Sequence, residues 1–383
     1  MKEINYADSG VNISKGDDAS KKAYSNAKKT FASRKGMIGE PFALEGGFSG
    51  ALDFGDFLVV QNDDGVGTKS ELAERTGVYN TLGEDLLCMV ADDAICVGGE
   101  TVSITNTLDV PVVEPDVIEQ LTAGLAEACM KEKVVIPGGE IAEVGDACNK
   151  MVWNATAVGV VKKDRFLSGN DVKAGQKIIG LRGRVLRSNG VSLARKICEV
   201  NFGDDWHNTE WKDGITWGHV LLTPSKIFHR LVLDNVIGGF DADRPFNVSG
   251  IVHITGGGIP GNVPRIFNDK SLGAKFDNLH EPHEAISQLR ELGNVSEEEC
   301  YKTWNCGTAL MIFCNSEDAE EICKRLNSAD SEVDAKIVGE VNDAQNIEII
   351  SKRLPTLQKH PGMNKRINSN HISLASLINL TRP

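Results

Sequence analysis

Four apolar residues in a row, Phe57-Leu58-Val59-Val60, open the first segment with a clear conformational preference. Aromatic and β-branched side chains in such a run read as a strand. A helix is expected after Lys69. Leu82, Leu86, Val90 and Ala94 then recur every four residues and predict a second helix over 81–97. Residues 110–113 are extended. Glu114-Pro115-Asp116 has the proline and acids of a helix start, with Val117, Leu121, Leu125 and Ala128 along one side of the helix that follows. Strands are expected at 133–136, 152–161, 177–181, 251–254, 308–314 and 335–341. Helices are expected at 191–200, 284–292 and 317–326. Residues 1–40 are polar and weakly periodic, and either a mobile arm or a first helix fits them.

This mixture of elements predicts an α+β protein of two domains, residues 1–166 and 167–346. Residues 347–383 carry six Lys or Arg against one acid and read as a C-terminal extension. The 383 residues, 41% hydrophobic and 25% charged, are those of a soluble globular chain. A net charge of −13 argues against a nucleic-acid partner, which needs a basic surface. No apolar run reaches membrane-spanning length, and the charged N-terminus is not a signal peptide. Nine cysteines stand singly, with no C-x-x-C pair, as reduced thiols of a cytoplasmic protein do.

The strand at 57–60 delivers Asp63-Asp64-Gly65-Val66-Gly67-Thr68-Lys69. Carboxylates suit a divalent cation, glycines let backbone N–H groups approach phosphate oxygens, and lysine adds a point charge. A plain hairpin turn is the other reading of this stretch. A Walker A loop is not, because Thr68 rather than glycine precedes Lys69. On the helix at 81–97, Asp85 and Asp92 lie two turns apart on nearly one face, with Asp93 one position round. Acids there need a partner or a metal, unless that face is solvated.

Gly138-Gly139-Glu140 follows a strand. Arg187-Ser188-Asn189-Gly190 precedes a helix whose N-terminal N–H groups favour an anion. Thr255-Gly256-Gly257-Gly258-Ile259-Pro260-Gly261 formally contains G-x-G-x-x-G. Pro260 and Pro264 fall where a dinucleotide-binding helix would run, so a phosphate nest is the better reading.

The ordered set resembles one family, the phosphoribosylformylglycinamidine cyclo-ligases (aminoimidazole ribonucleotide synthetases) of purine biosynthesis. It comprises Tyr6 to Ile13, Asp64 to Lys69, the Asp93 helix, Gly138-Gly139-Glu140, Ser188-Asn189-Gly190, His253 to Gly258 and Thr303-Trp304-Asn305-Cys306-Gly307. The resemblance implies ATP-dependent cyclisation of formylglycinamidine ribonucleotide to aminoimidazole ribonucleotide, with ADP and phosphate. It implies a homodimer whose N-terminal halves contribute strands to a shared β-barrel, each with a C-terminal α+β layered domain.

On that basis Asp64, Lys69, Asp93 and His253 are expected to be catalytic. Gly65, Val66, Gly67, Thr68, Lys69 and Glu140 are expected to bind ATP, and Asp64, Asp93 and Glu140 to converge on Mg²⁺. Arg187, Ser188, Asn189, Gly190, Thr255, Gly256 and Gly257 are expected to bind the ribotide. The cofactors implied are ATP and Mg²⁺, with a monovalent cation such as K⁺ as a further candidate.

Departures are visible too. The family usually has Asn-Asp where this chain has Asp92-Asp93, and His-Ser-Asn-Gly where it has Arg187-Ser188-Asn189-Gly190. Permanently charged Arg187 is a poor general base and reads as a phosphate ligand, which leaves proton transfer to His253. The alternatives are a relative of the same superfamily, of selenophosphate synthetase or thiamine-phosphate kinase type, or a non-catalytic nucleotide-binding paralogue.

Overall fold

The computed structural model describes residues 4–6, 9–10, 13–42, 47–269 and 271–350. Residues 351–383 of the expected extension lie outside the described residues, as do parts of the stretches at 6–13 and 45–50. The N-terminal segment forms a helix, Ile13–Phe31, rather than an irregular arm.

Six strands make the N-terminal sheet: β1 (Glu40–Pro41), β2 (Gly50–Asp53), β3 (Phe57–Gly65), β4 (Glu100–Val110), β5 (Val135–Glu143) and β6 (Val152–Lys162). Their order is β1-β2-β3-β6-β4-β5. Only β4 and β5 are parallel. The helix Pro115–Glu132 between them is the crossover that a parallel pair requires. It packs with the helix Leu82–Ile95 over one face of the sheet, and Leu82, Leu86, Val90 and Ala94 are fully buried there, as their spacing predicts.

The other face is open. Val102, Val135, Ile136 and Val152 are all exposed, and nearly every residue of β5 is exposed with them.

Two extended segments are longer than the apolar pattern suggests. β3 does not stop at Val60; it pairs with β6 from Phe57↔Lys162 to Gly65↔Asn154. Asp63 and Asp64 therefore lie on a strand and point to opposite faces. β4 occupies 11 residues of which only the last, Val110, lay in the segment read as extended, because its mix of Thr, Ser, Asn and Asp hides the alternation.

The C-terminal sheet also has six strands, in the order Val248–His253, Thr308–Cys314, Lys177–Arg182, Lys336–Asn342, Gly273–Phe276 and Ile347–Ile349. All its pairings are antiparallel except Gly273–Phe276 with Ile347–Ile349. A sheet of this kind is no dinucleotide fold, which is built on parallel strands. Its last strand carries the sheet past the expected boundary at 346. Thr308–Cys314, between Val248–His253 and Lys177–Arg182, is buried at every position. All nine cysteines are free thiols, and all but Cys148 are buried. Among the described residues no helix is long and apolar enough to cross a membrane.

Candidate functional site

The helix Leu82–Ile95 lies beneath the site; of its four acids Glu84 pairs with Arg184, and Asp85, Asp92 and Asp93 point in two directions. Asp85 and Asp92 are fully buried and face the C-terminal half. Asp85 Oδ1 accepts from Lys69 Nζ at 2.8 Å, from Ser225 N at 2.9 Å and from Ser225 Oγ at 2.6 Å. Asp92 Oδ1 accepts from Phe228 N at 2.9 Å, and its Oδ2 from Arg187 Nη2 at 3.2 Å. The two acids thus grip the segment 223–228 at two points, one helical turn pair apart. Neither face is solvated.

This arrangement reassigns two of the expected phosphate ligands. The ammonium of Lys69 is fully buried and also donates to Thr223 O at 2.7 Å. It points into the core, away from the exposed tip of its own loop. Arg187 is 3% exposed; besides Asp92 it donates to Lys226 O at 2.7 Å and to Ala309 O at 3.4 Å, touches Cys88 Sγ, and lies over the Phe228 ring. A guanidinium enclosed in this way has no path to a ribotide phosphate. Cys88, Asp92 and His253 bring ligand atoms within 4.8 Å of one another, but the cation among them is already Arg187.

Asp93, turned one position round the helix, reaches the site itself. His253 Nδ1 lies 2.9 Å from Asp93 Oδ1. Burial, then the nearby Arg187 charge, push the imidazole down to about 3, so it is neutral and its Nδ1–H donates to the carboxylate. Its Nε2 is buried without a partner. The expected general base therefore orients Asp93 from behind.

Asp64 is the second carboxylate here. Burial raises it to about 6, with Asp93 adding to the rise and the Gly65 N–H, 2.7 Å from Oδ1, opposing it. Burial raises Asp93 to about 7, against the pull of Arg265 and Arg187. Asp63 turns to the open face and accepts from Thr156. It is no partner for the same cation.

Glu140 does not join them. Asp64 aligns with Ala155, Asn106 and Gly139 across β6, β4 and β5, whereas Glu140 aligns with Thr107 and Asn154 on the other face. Three strand spacings, about 14 Å, separate it from Asp64. The threefold convergence expected of the acids is therefore twofold within one chain.

The glycine loop leads from Asp64 to the C-terminal half. Gly65 closes β3, Val66 is buried with its N–H on Trp153 O at 3.1 Å, and Gly67 and Thr68 form the exposed tip. Gly67 has φ +52°, and a Cβ there would stand 3.5 Å from Ser188 O. Thr68 Oγ1 is 3.1 Å from Ser192 Oγ. The loop 65–68 thus abuts the stretch Ser188-Asn189-Gly190, as it must if both serve one reaction.

Gly190 precedes the helix Val191–Phe202 at φ +78°, and a Cβ there would meet the Trp304 ring at 2.4 Å, so only glycine fits. Ser188 Oγ and Asn189 Oδ1 are buried without partners. Across from Asn189, its Nδ2 would lie 3.3 Å from a Cβ at Gly256. The carbonyls of Thr255 and Gly256 are held by Asn262 Nδ2, at 3.4 and 3.1 Å. Gly257 caps the short helix Gly258–Asn262.

Some residues at the site carry no mark in the sequence pattern. Arg265 lies over the Phe48 ring, 3.8 Å from its centroid, donates to Gly47 O at 2.8 Å, and draws the Asp93 carboxyl down. Ser49 ties the same loop to Asp93 O at 3.1 Å. The glycines beside Phe48 and Ser49 were the available signal; nothing marks Arg265.

The geometry has counterparts in known proteins. The model "AIR synthase related protein, N-terminal domain" matches residues 49–161, and its C-terminal domain counterpart matches residues 173–352. The phosphoribosylformylglycinamidine cyclo-ligase of Methanocaldococcus jannaschii is 34% identical over 348 residues, 90% of this chain and 94% of that protein. Its namesake from Thermococcus kodakarensis is 34% identical over 338 residues, 88% and 96% of the two chains. The crystal structure of the hydrogenase maturation protein HypE in complex with ATP covers 80% of this chain and 87% of its own, with a TM-score of 0.55 and 16% identity. At that identity the likeness is one of fold.

Proposed function

Because the chain belongs to the AIR synthase family, we propose that it closes the imidazole ring of a purine precursor. It converts formylglycinamidine ribonucleotide and ATP to 5-aminoimidazole ribonucleotide, ADP and phosphate, in the cytoplasm. The formyl oxygen takes the γ-phosphoryl group, the amidine nitrogen attacks the activated carbon, and the oxygen departs with phosphate.

The observation that carries this reading is the pair Asp64 and Asp93, two half-buried carboxyls of like charge beside a glycine loop, both raised by desolvation. Such a pair is stable in its ionised form only next to a cation, and its all-oxygen donors suit Mg²⁺. Bound there, Mg²⁺ supplies charge neutralisation for the triphosphate. His253 fixes the Asp93 carboxylate, and Asp64 is fixed by the Gly65 N–H. Gly65, Val66, Gly67 and Thr68 shape the turn that receives the triphosphate. Ser188, Asn189 and Gly190, faced by Thr255, Gly256 and Gly257, receive the ribotide phosphate at the N-terminus of Val191–Phe202. Lys69 and Arg187 support the two loops from below and contact neither substrate.

Glu140 enters through a second copy. The open face of the N-terminal sheet and the exposed edge strand β5 are the surface on which two N-terminal halves pair into one barrel. Glu140 stands on that face, so it serves the nucleotide of the partner rather than its own.

The test is ATP turnover with each candidate acceptor. ADP release that requires formylglycinamidine ribonucleotide, and is not supported by thiamine monophosphate or selenide, is expected. Turnover on either of the latter would replace this reading by another chemistry of the superfamily.

A further inference from the structure

The motif that begins at Tyr6 has no task in the site as built so far. Ile4 N donates to Gly293 O at 3.1 Å, and Tyr6 N donates to Glu299 Oε1 at 2.8 Å. The segment therefore lies across the ends of the helices Glu284–Gly293 and Glu297–Thr303 as a strap. Ser9 Oγ folds back onto Tyr6 O at 2.6 Å and closes a turn behind it. The Tyr6 ring packs against the core, where burial raises its phenol and the Gly190 N–H opposes the rise; the helix Glu297–Thr303 under the strap ends with Thr303 O 3.0 Å from where a Cβ at Gly190 would stand.

Gly190 opens the helix Val191–Phe202, 12 residues long, so its N–H stands at the positive end of a full dipole. Around it two buried hydroxyls lack partners: Ser188 Oγ, in a residue 5% exposed, and Thr303 Oγ1, in a residue 1% exposed. Buried hydroxyls without partners are uncommon in a folded protein, and two beside one helix N-terminus mark a place for an acceptor-rich ligand. A phenol accepts one hydrogen bond and donates another. With its oxygen turned to Gly190, Tyr6 has its proton to give to an anion at the same loop.

We propose that Tyr6 is a substrate-binding residue, carried on the N-terminal strap, which donates a hydrogen bond to the phosphate of the ribotide held by Ser188-Asn189-Gly190. This rests on the reading of that loop as the ribotide phosphate site. The ribotide is then held between this strap and the loop Ser188-Asn189-Gly190.

The test is steady-state kinetics of Tyr6→Phe and Asn189→Ala, with ADP release as the signal. Phenylalanine keeps the ring and its packing, so a merely structural tyrosine predicts no change in any constant. Loss of a hydrogen bond to a charged group raises KM for the ribotide by about 10- to 100-fold, with KM for ATP and kcat unchanged. Inorganic phosphate competing with the ribotide weakens in parallel. If Asn189→Ala raises the ribotide KM and Tyr6→Phe does not, the proposal falls and the loop reading stands. If neither variant moves it, both fall together. A Tyr6→Phe variant that loses kcat with its ribotide KM intact also overturns the proposal.

Discussion

Removing both members of the Arg187–Asp92 pair should cost far less than the sum of removing each alone. The guanidinium and carboxylate are 3% and 0% exposed, 3.2 Å apart, so neither charge can turn to water when its partner is lost. Breaking a buried pair from one side costs about 3–5 kcal/mol. Asp92→Asn keeps an oxygen for the Phe228 N–H and strands only the guanidinium, which retains Lys226 O and Ala309 O, so about 3 kcal/mol is expected. Arg187→Met strands the carboxylate and also frees those two carbonyls, which places it near about 5 kcal/mol.

Added, the two come to about 8 kcal/mol, a large share of the stability of any domain. The double variant leaves only the two carbonyls short of a donor and should lose about 2–3 kcal/mol. Denaturant midpoints of the four proteins then give a coupling of at least about 4 kcal/mol. Single losses that sum in the double variant would refute the reasoning and return Arg187 to the list of phosphate ligands. The pair also accounts for two departures from the family pattern at once. An acid for asparagine and an arginine for histidine stand in contact, and their charges cancel.

Lys69→Met should likewise lose about 3–5 kcal/mol by stranding Asp85, with the KM for ATP of the folded enzyme within about twofold of the parent; a large rise in that KM at unchanged stability would restore the ammonium to the nucleotide. Burial raises Asp64 and Asp93 from an ordinary 3.8 to about 6 and about 7, so the folded metal-free protein binds these protons more tightly than the unfolded chain. The stability this gives is complete below the unfolded value and is lost as pH rises through 6 and 7, so the Tm of metal-free protein should fall from about pH 5 to pH 8, and Mg²⁺ with ATP should flatten the slope. A Tm independent of pH in the absence of metal would contradict the paired burial. Finally, if Glu140 serves the partner's nucleotide as proposed, mixing inactive Asp64→Asn and Glu140→Gln enzymes under subunit exchange should recover about a quarter of parental turnover, because each mixed dimer would hold one intact site. No recovery would place Glu140 outside the nucleotide site.

Much of the site could be read from residue order because its chemistry lies in short stretches. The Asp64-to-Thr68 turn, Ser188-Asn189-Gly190 and Thr255-Gly256-Gly257 are brought together as their composition suggests. What could not be read is which way a side chain points and what meets it from a distant element. Asp63 and Asp64 are equivalent as letters, and only the pairing of β3 with β6 sends them to opposite faces. Lys69 and Arg187 sit in phosphate-binding contexts, yet each meets a buried acid supplied by the helix Leu82–Ile95.

The neighbours of His253 did carry a usable warning. Ile251 and Val252 precede it on a strand buried at every position and Ile254 just past the strand is buried too, which is no place for a proton carrier exposed to substrate. Glu140 follows two glycines and reads as a loop acid, but β5 runs through all three, and its distance from Asp64 follows from strand order alone.

The most direct measurement is the stoichiometry of one reaction mixture. The enzyme is given formylglycinamidine ribonucleotide, ATP and Mg²⁺, and ADP and aminoimidazole ribonucleotide are counted over the same interval. One aminoimidazole for each ADP, with both lost in Asp64→Asn at unchanged fold, is the expected result. ADP formed without ring closure, or equal yields from the Asp64→Asn enzyme, would contradict the assignment of this site to the cyclisation.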